Sequence, residues 1–184
     1  MLKKVSSYIL EKDILSGRQE GAQYREALIK RLEGEASDVV LPIDFGKVKV
    51  VDFSFADEFL CRIIRRVLSG DLGEKYIIVE SMTDSLKENI GMALKERELA
   101  CIYVKSDSGA EILGKISDEL KKTYLAAVDK GKITARDVQE FDNMDNISAA
   151  SNRLTRLKDL GLLRKTTDEV ITGGGRQYVY EPVK

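Results

Sequence analysis

The side chains of this chain that could do covalent chemistry are its serines, carboxylates and two thiols, and each lacks the partners such chemistry needs. There is no histidine among the 184 residues. No serine or cysteine therefore has an imidazole base, and a histidine-bearing zinc or iron site is impossible. Asp44, Asp52, Asp57 and Glu58 could suggest a carboxylate pair or a magnesium site. Asp57 and Glu58, however, fall at a predicted helix start, where the dipole favours acids without any catalytic role. Cys61 and Cys101 are far apart and form no CxxC pair, so they read as buried free thiols. Gly173-Gly174-Gly175 lacks the GxxxxGK[ST] spacing of a phosphate-cradling loop. The expectation is a protein that is not an enzyme and carries no metal and no cofactor.

Recognition chemistry is a better match. ISAASNRLTRLKDLGLLRK, Ile147 to Lys165, puts Ala150, Leu154 and Leu157 on one helical stripe. Ser148, Asn152, Thr155 and Arg156 then share the opposite face, with Arg153 and Lys158 on its flanks. Ser148 is predicted to cap the helix and Gly161 to end it. A short, donor-rich, uncharged-to-basic face suits a helix lying in the DNA major groove. Asn152 would pair with adenine and Arg156 with guanine. Arg153, Lys158, Lys165 and Arg176 would contact phosphates.

The elements around this helix position it. Ser117 to Lys130 is predicted helical, with Leu120, Tyr124, Leu125 and Val128 inward, and Gly131 ends it. Thr134-Ala135-Arg136-Asp137 fits a capping box opening a second helix, whose inward residues are Val138 and Phe141. Asn143 to Asn146 makes a polar turn. After the third helix, Leu163 to Thr167 and Gln177 to Glu181 read as strands flanking the glycine tip. This order resembles the winged helix-turn-helix domains of bacterial and archaeal transcription regulators, over about Ile112 to Lys184. The resemblance implies an α+β winged helix-turn-helix domain, assigned to 109–184, with DNA as its partner.

The preceding 1–108 alternates strands and helices. Strands are predicted at Val5 to Leu10, Asp38 to Asp44, Tyr76 to Val79 and Ala100 to Val104, with a short edge segment at Lys47 to Phe53. Helices are predicted at about Ala22 to Leu32 after a GRQEG turn, Phe55 to Leu68, and Thr83 to Glu98, the last carrying Leu86, Ile90, Met92, Ala93 and Leu94. Arg62, Arg65 and Arg66 are expected on the solvent side of the Phe55 to Leu68 helix, together with Asp57 and Glu58. Such alternation predicts an α/β unit, a small sheet with packed helices. LPIDFGKVKVVDFSFADEFLCRIIRRV resembles the central motif of STAS-like domains, the group with an IDF…SFADE signature. GRQEG and ESMTDSLKENIGMALKEREL fit the same layout. The resemblance implies a regulatory domain, in some members switched when an ATP-dependent kinase phosphorylates a serine. Ser54 is the matching position. It is also a plain helix cap in Ser54-Phe55-Ala56-Asp57, and both readings stand at this stage.

Composition sets the outer bounds. With 43% hydrophobic and 33% charged residues and a net charge of −1, the chain can bury one or two modest cores. It is not globally basic, so tight nonspecific nucleic-acid binding is not expected. No apolar run is long enough to span a bilayer and no signal-peptide pattern opens the chain, so the expectation is a cytoplasmic protein without membrane association. Together these readings predict a DNA-binding transcription regulator whose STAS-like domain senses a signal, with a homodimer as a further expectation. The rival is a partner-switching adaptor that docks a protein kinase or ATPase and never touches DNA.

Overall fold

The computed structural model describes residues 2–105, 109–166, 169–170 and 176–184, with side chains omitted at 169, 170 and 176. The chain separates into two compact units, Met1–Lys115 and Ile116–Val183. The first is a mixed α/β unit with a mostly parallel sheet.

Its sheet has strand order β1-β4-β6-β7-β8, with β2 also on β4. The strands are β1 (Lys3–Lys4), β2 (Tyr8–Ile9), β4 (Val39–Asp44), β6 (Lys75–Glu80), β7 (Ala100–Val104) and β8 (Ala110–Gly114). All pair in parallel except β7 with β8, where Ile102 stands opposite Ile112. A separate parallel ribbon joins β3 (Ile14–Leu15) to β5 (Val50–Val51). Alternate residues Leu41 and Ile43, Ile77 and Val79, and Cys101 and Tyr103 point into one core, as a period of two requires. Val40, Ile78 and Ile102 between them are buried too, which is why these strands read as continuous apolar runs.

Helix α1 (Arg18–Gly34) contributes Leu28, Ile29 and Leu32 to that core. Helix α2 is α-helical over Phe53–Ala56 and Arg62–Leu68, with a π-helical turn at Asp57–Cys61 between them. Every residue from Phe55 to Cys61 is buried. This middle stretch of α2 is enclosed on every side, whereas Phe53 at its start and Arg62, Arg65 and Arg66 in its later turns are exposed. Phe55 and Phe59 meet Tyr24 of α1 edge to face, the ring centroids 5.6 and 6.1 Å apart. Helix α3 (Asp84–Glu96) is capped by Thr83 and inserts Leu86, Ile90, Ala93 and Leu94. Met92, among the apolar residues that the helix carries, is exposed.

The second unit runs α4 (Asp118–Lys130), β9 (Ile133–Thr134), α5 (Ala135–Phe141), α6 (Ile147–Asp159), β10 (Leu163–Lys165) and β13 (Val179–Pro182). The last three strands named form an antiparallel sheet in the order β10-β13-β9, while β11 (Glu169–Val170) pairs with β12 (Arg176–Gln177). Tyr124, fully buried, donates its hydroxyl to the Val183 carbonyl at 2.9 Å and ties α4 to the chain end. The capping box at Thr134 and Asp137 forms as the sequence predicts. Leu125 and Phe141, expected inward, are exposed; Thr123 and Ala127 fill the α4 face instead.

The predicted boundary between residues 108 and 109 needs correcting. Ala110–Gly114 pairs with β7 in the first sheet, so the division falls after Lys115. Gly114 adopts φ +98° there, and an added Cβ would sit 2.2 Å from the Leu99 carbonyl oxygen, so only glycine fits.

Candidate functional site

Helix α6 presents the first candidate surface. Ala150, Leu154 and Leu157 are fully buried, which fixes the opposite face outward. Ser148, Asn152, Thr155 and Arg156 are all exposed on it, as the spacing requires. No hydrogen bond or ion pair to another described residue holds any of these four side chains. Ser148 is not the cap, however. Asn146 takes that role, its side-chain oxygen accepting the Ser148 N–H at 2.8 Å. The asparagine precedes Ile147 and so reaches an orphan amide two or three residues earlier than the serine could. At the other end Gly161 turns left-handed at φ 73°, and the Leu162 N–H closes on Leu157 O at 3.0 Å.

The flanking cations are less free than their sequence positions suggest. Arg153 is half-buried and ion-paired with Asp142, which also accepts from Lys122 Nζ at 2.5 Å. Lys122 and then Arg153 hold the Asp142 carboxyl below the usual aspartate range. Lys158 lies 3.1 Å from the Asp159 carboxylate. Lys165 sits over the Tyr178 ring, 3.1 Å from its centroid. Arg156 is thus the exposed cation of the face itself. The Gly173-Gly174-Gly175 tip, Thr167 and the Arg176 side chain lie outside the described residues.

A second cluster lies in the first unit and centres on the π-helical turn. Ser54, the phosphorylation candidate, is half-buried in the first turn of α2, and the helix cap is Asp52 rather than Ser54. One Asp52 oxygen accepts the Phe55 N–H at 2.7 Å, and both oxygens accept the Gly17 N–H at 3.1 and 3.0 Å. One carboxylate therefore caps α2 and fastens the turn before α1. A phosphate on Ser54 would compete with that anion for the same helix start.

Asp57 and Glu58 also depart from expectation. Both are buried, at 3% and 7% exposure, rather than solvated beside Arg62, Arg65 and Arg66. Arg97 grips Asp57 with both forks, Nε to Oδ1 at 2.6 Å and Nη2 to Oδ2 at 2.7 Å, and Arg18 adds a contact at 3.1 Å. Glu58 is held by Arg25, by Arg62 at 3.0 Å and by Arg18 at 3.5 Å. Arg97 first, with Arg18, keeps the Asp57 carboxyl below its ordinary value against the opposing pull of desolvation. An unpaired buried carboxylate is costly, so these guanidinium groups are what make the turn tolerable. A faint sequence signal existed: two adjacent acids between Phe55-Ala56 and Phe59-Leu60, in a stretch apolar on every side.

Cys61 and Cys101 are both buried free thiols, as expected, and burial pushes each up to about 12. Neither is a nucleophile at neutral pH. Among the described residues, no three cysteine or carboxylate side chains stand close enough to share a metal ion, and no helix is long and apolar enough to cross a membrane. The chain matches no protein-family model and no curated protein sequence.

Proposed function

We propose that the second unit is a winged helix that reads DNA and that the first is a STAS-like receiver, making the chain a cytoplasmic, sequence-specific transcription regulator. The observation that carries this reading is the outward face of α6, where Ser148, Asn152, Thr155 and Arg156 are exposed and unengaged among the described residues. Donors aimed outward from a rigid helix are what base-edge recognition requires. The order helix, strand, helix, helix, strand, hairpin supports the winged-helix assignment. Asn152 reads adenine and Arg156 reads guanine, each good bidentate pair supplying about 1–3 kcal/mol of discrimination. Lys158, Lys165 and Arg176 contribute phosphate contacts, and Arg153 contributes one only when Asp142 releases it. The first unit passes on a signal by shifting this reader between states. We assign the chain no catalytic step.

A second reading draws on the neutralised flanks. Asp142 occupies both Arg153 and Lys122, and the second unit carries as many acidic as basic residues. A protein-docking module needs no phosphate contacts, so an adaptor in a partner-switching pathway is the competing account. Selection of duplexes from a randomised library by the full-length protein, at about physiological salt, separates the two. A recovered common motif supports the regulator. Recovery no better than from a protein-free control would make the adaptor primary.

A further inference from the structure

Arginine is distributed unevenly over this molecule. The chain has twelve arginines and eighteen lysines. Arg25, Arg62, Arg65, Arg66 and Arg97 line one cleft of about 690 Å³ in the first unit, and no lysine does. The buried carboxylates account for part of this. Arg97 serves Asp57, and Arg25 and Arg62 serve Glu58. Arg65 and Arg66 are left over. Both are exposed in the last turn of α2, and neither makes an ion pair with a described residue. Arg65 donates through Nη2 to the Arg97 carbonyl at 3.1 Å, which steadies its fork while leaving other N–H groups available. Cations in a last helical turn suit the dipole, but lysine would do that equally well. A planar fork is distinguished by bidentate binding of an oxyanion.

The remaining lining narrows the ligand class. Apart from Cys61, every residue lining the cleft is charged, so it offers no apolar anchor for a peptide or a greasy cofactor. Its volume falls in the range of small-molecule sites. Glu26 and Asp71 also line it, and these would repel a bare polyanion but accept hydrogen bonds from hydroxyl groups. Guanidinium forks beside hydroxyl acceptors match a molecule with both a phosphate and a sugar. We propose that this cleft binds a sugar phosphate, free or as part of a nucleotide, with Arg65 and Arg66 as its phosphate-binding residues. The site lies wholly within the first unit and stands independently of whether the second unit reads DNA.

Isothermal titration of the full-length protein, without DNA, tests this with inorganic phosphate, ribose 5-phosphate and ADP as probes. Saturable binding of ribose 5-phosphate, tighter than inorganic phosphate, is expected. Binding of ADP alone would identify the nucleotide as the source and support the same site. Arg65→Ala/Arg66→Ala is expected to weaken binding by about tenfold or more, the scale of lost charge-assisted hydrogen bonds. Arg65→Lys/Arg66→Lys should weaken it as well, because charge is kept and the fork is lost. Both arginines are exposed, so an unchanged urea midpoint will show that the variants fold. Lys47→Ala/Lys49→Ala, at two lysines that pair with Glu11 and Asp13 and do not line the cleft, should bind as wild type. The proposal is overturned if neither ribose 5-phosphate nor ADP saturates, if the alanine variant binds as tightly as wild type, or if the lysine variant does.

Discussion

Helix α1 passes so close to the π-helical turn of α2 that one hydrogen atom decides the fit. A Cβ added at Gly21 would lie 3.0 Å from the Glu58 Cβ and 3.1 Å from the Phe55 carbonyl oxygen, whereas one added at Gly91 in α3 would meet nothing within 4 Å. Both glycines are helical, so alanine at either gains about 0.5–1 kcal/mol of helix propensity. At Gly91 nothing opposes that gain. At Gly21 the contacts are well inside the roughly 3.5–4.0 Å optimum for carbon, and one of them is backbone that cannot rotate away. Overpacking of this kind costs about 1–3 kcal/mol. Gly91→Ala should therefore raise the stability of the first unit, and Gly21→Ala should lower it by up to about 2.5 kcal/mol or at best break even. With a urea slope of about 1–3 kcal/mol/M, the two midpoints should separate by several tenths molar or more. Far-UV circular dichroism follows both variants through the same unfolding transition, because both substitutions lie in the same unit. If Gly21→Ala proves as stabilising as Gly91→Ala, the seating of α1 on the buried acids is wrong.

Three other perturbations follow from the same contacts. Asp57 is held below its ordinary value by Arg97, so its contribution is fully present above about pH 4, the unfolded aspartate value, and is lost as pH falls toward the lower folded value. Asp57→Asn should flatten that part of the acid limb in urea midpoints taken between pH 2 and 6; an unchanged limb would remove Asp57 as its source. Asp142→Ala should free Arg153 and Lys122 and, on the DNA-reading account, raise DNA affinity several-fold while steepening the log K against log salt slope by up to about one per new phosphate contact. Unchanged affinity and slope would mean that neither cation faces the duplex. Cys61 and Cys101 should resist a thiol reagent at pH 8 in the folded protein and react fully in denaturant, as measured by mass; labelling of the native chain would contradict their burial.

Local pattern was enough to read the elements whose cause is local. Strand β7 falls where Ala100 to Val104 predicts, and α4, α5 and α6 follow their stripes and the capping box. Stripes overstate the core, though. Met92, Leu125 and Phe141 obey the apolar pattern yet are exposed, because spacing gives a direction and not the width of what packs there. Strand β8 was hidden because it exists only through its pairing with β7. At the start of α2, Asp52 and Ser54 each fit a cap, and the choice is made by Gly17, whose amide also binds Asp52. Asp57 and Glu58 looked solvated because their partners are remote: Arg18, Arg25 and Arg97 lie 39, 33 and 40 residues away. Arg153 likewise pairs with an acid that its helix spacing does not reveal, Asp142, eleven residues upstream. Tertiary partners decide charge burial, and a one-dimensional pattern does not contain them.

The reading face of α6 can be tested by one ratio. On a duplex carrying a selected motif and on a scrambled duplex, fluorescence anisotropy at about physiological salt gives the specificity of the wild-type protein and of Asn152→Ala/Arg156→Ala. The account predicts a wild-type ratio of about 10³ or more. It predicts that the double variant loses most of that ratio while its weak affinity for scrambled DNA changes little, since bases specify and phosphates position. Equal binding of the two duplexes by the wild-type protein, or a ratio untouched by the double substitution, would contradict the claim that this chain reads DNA through α6.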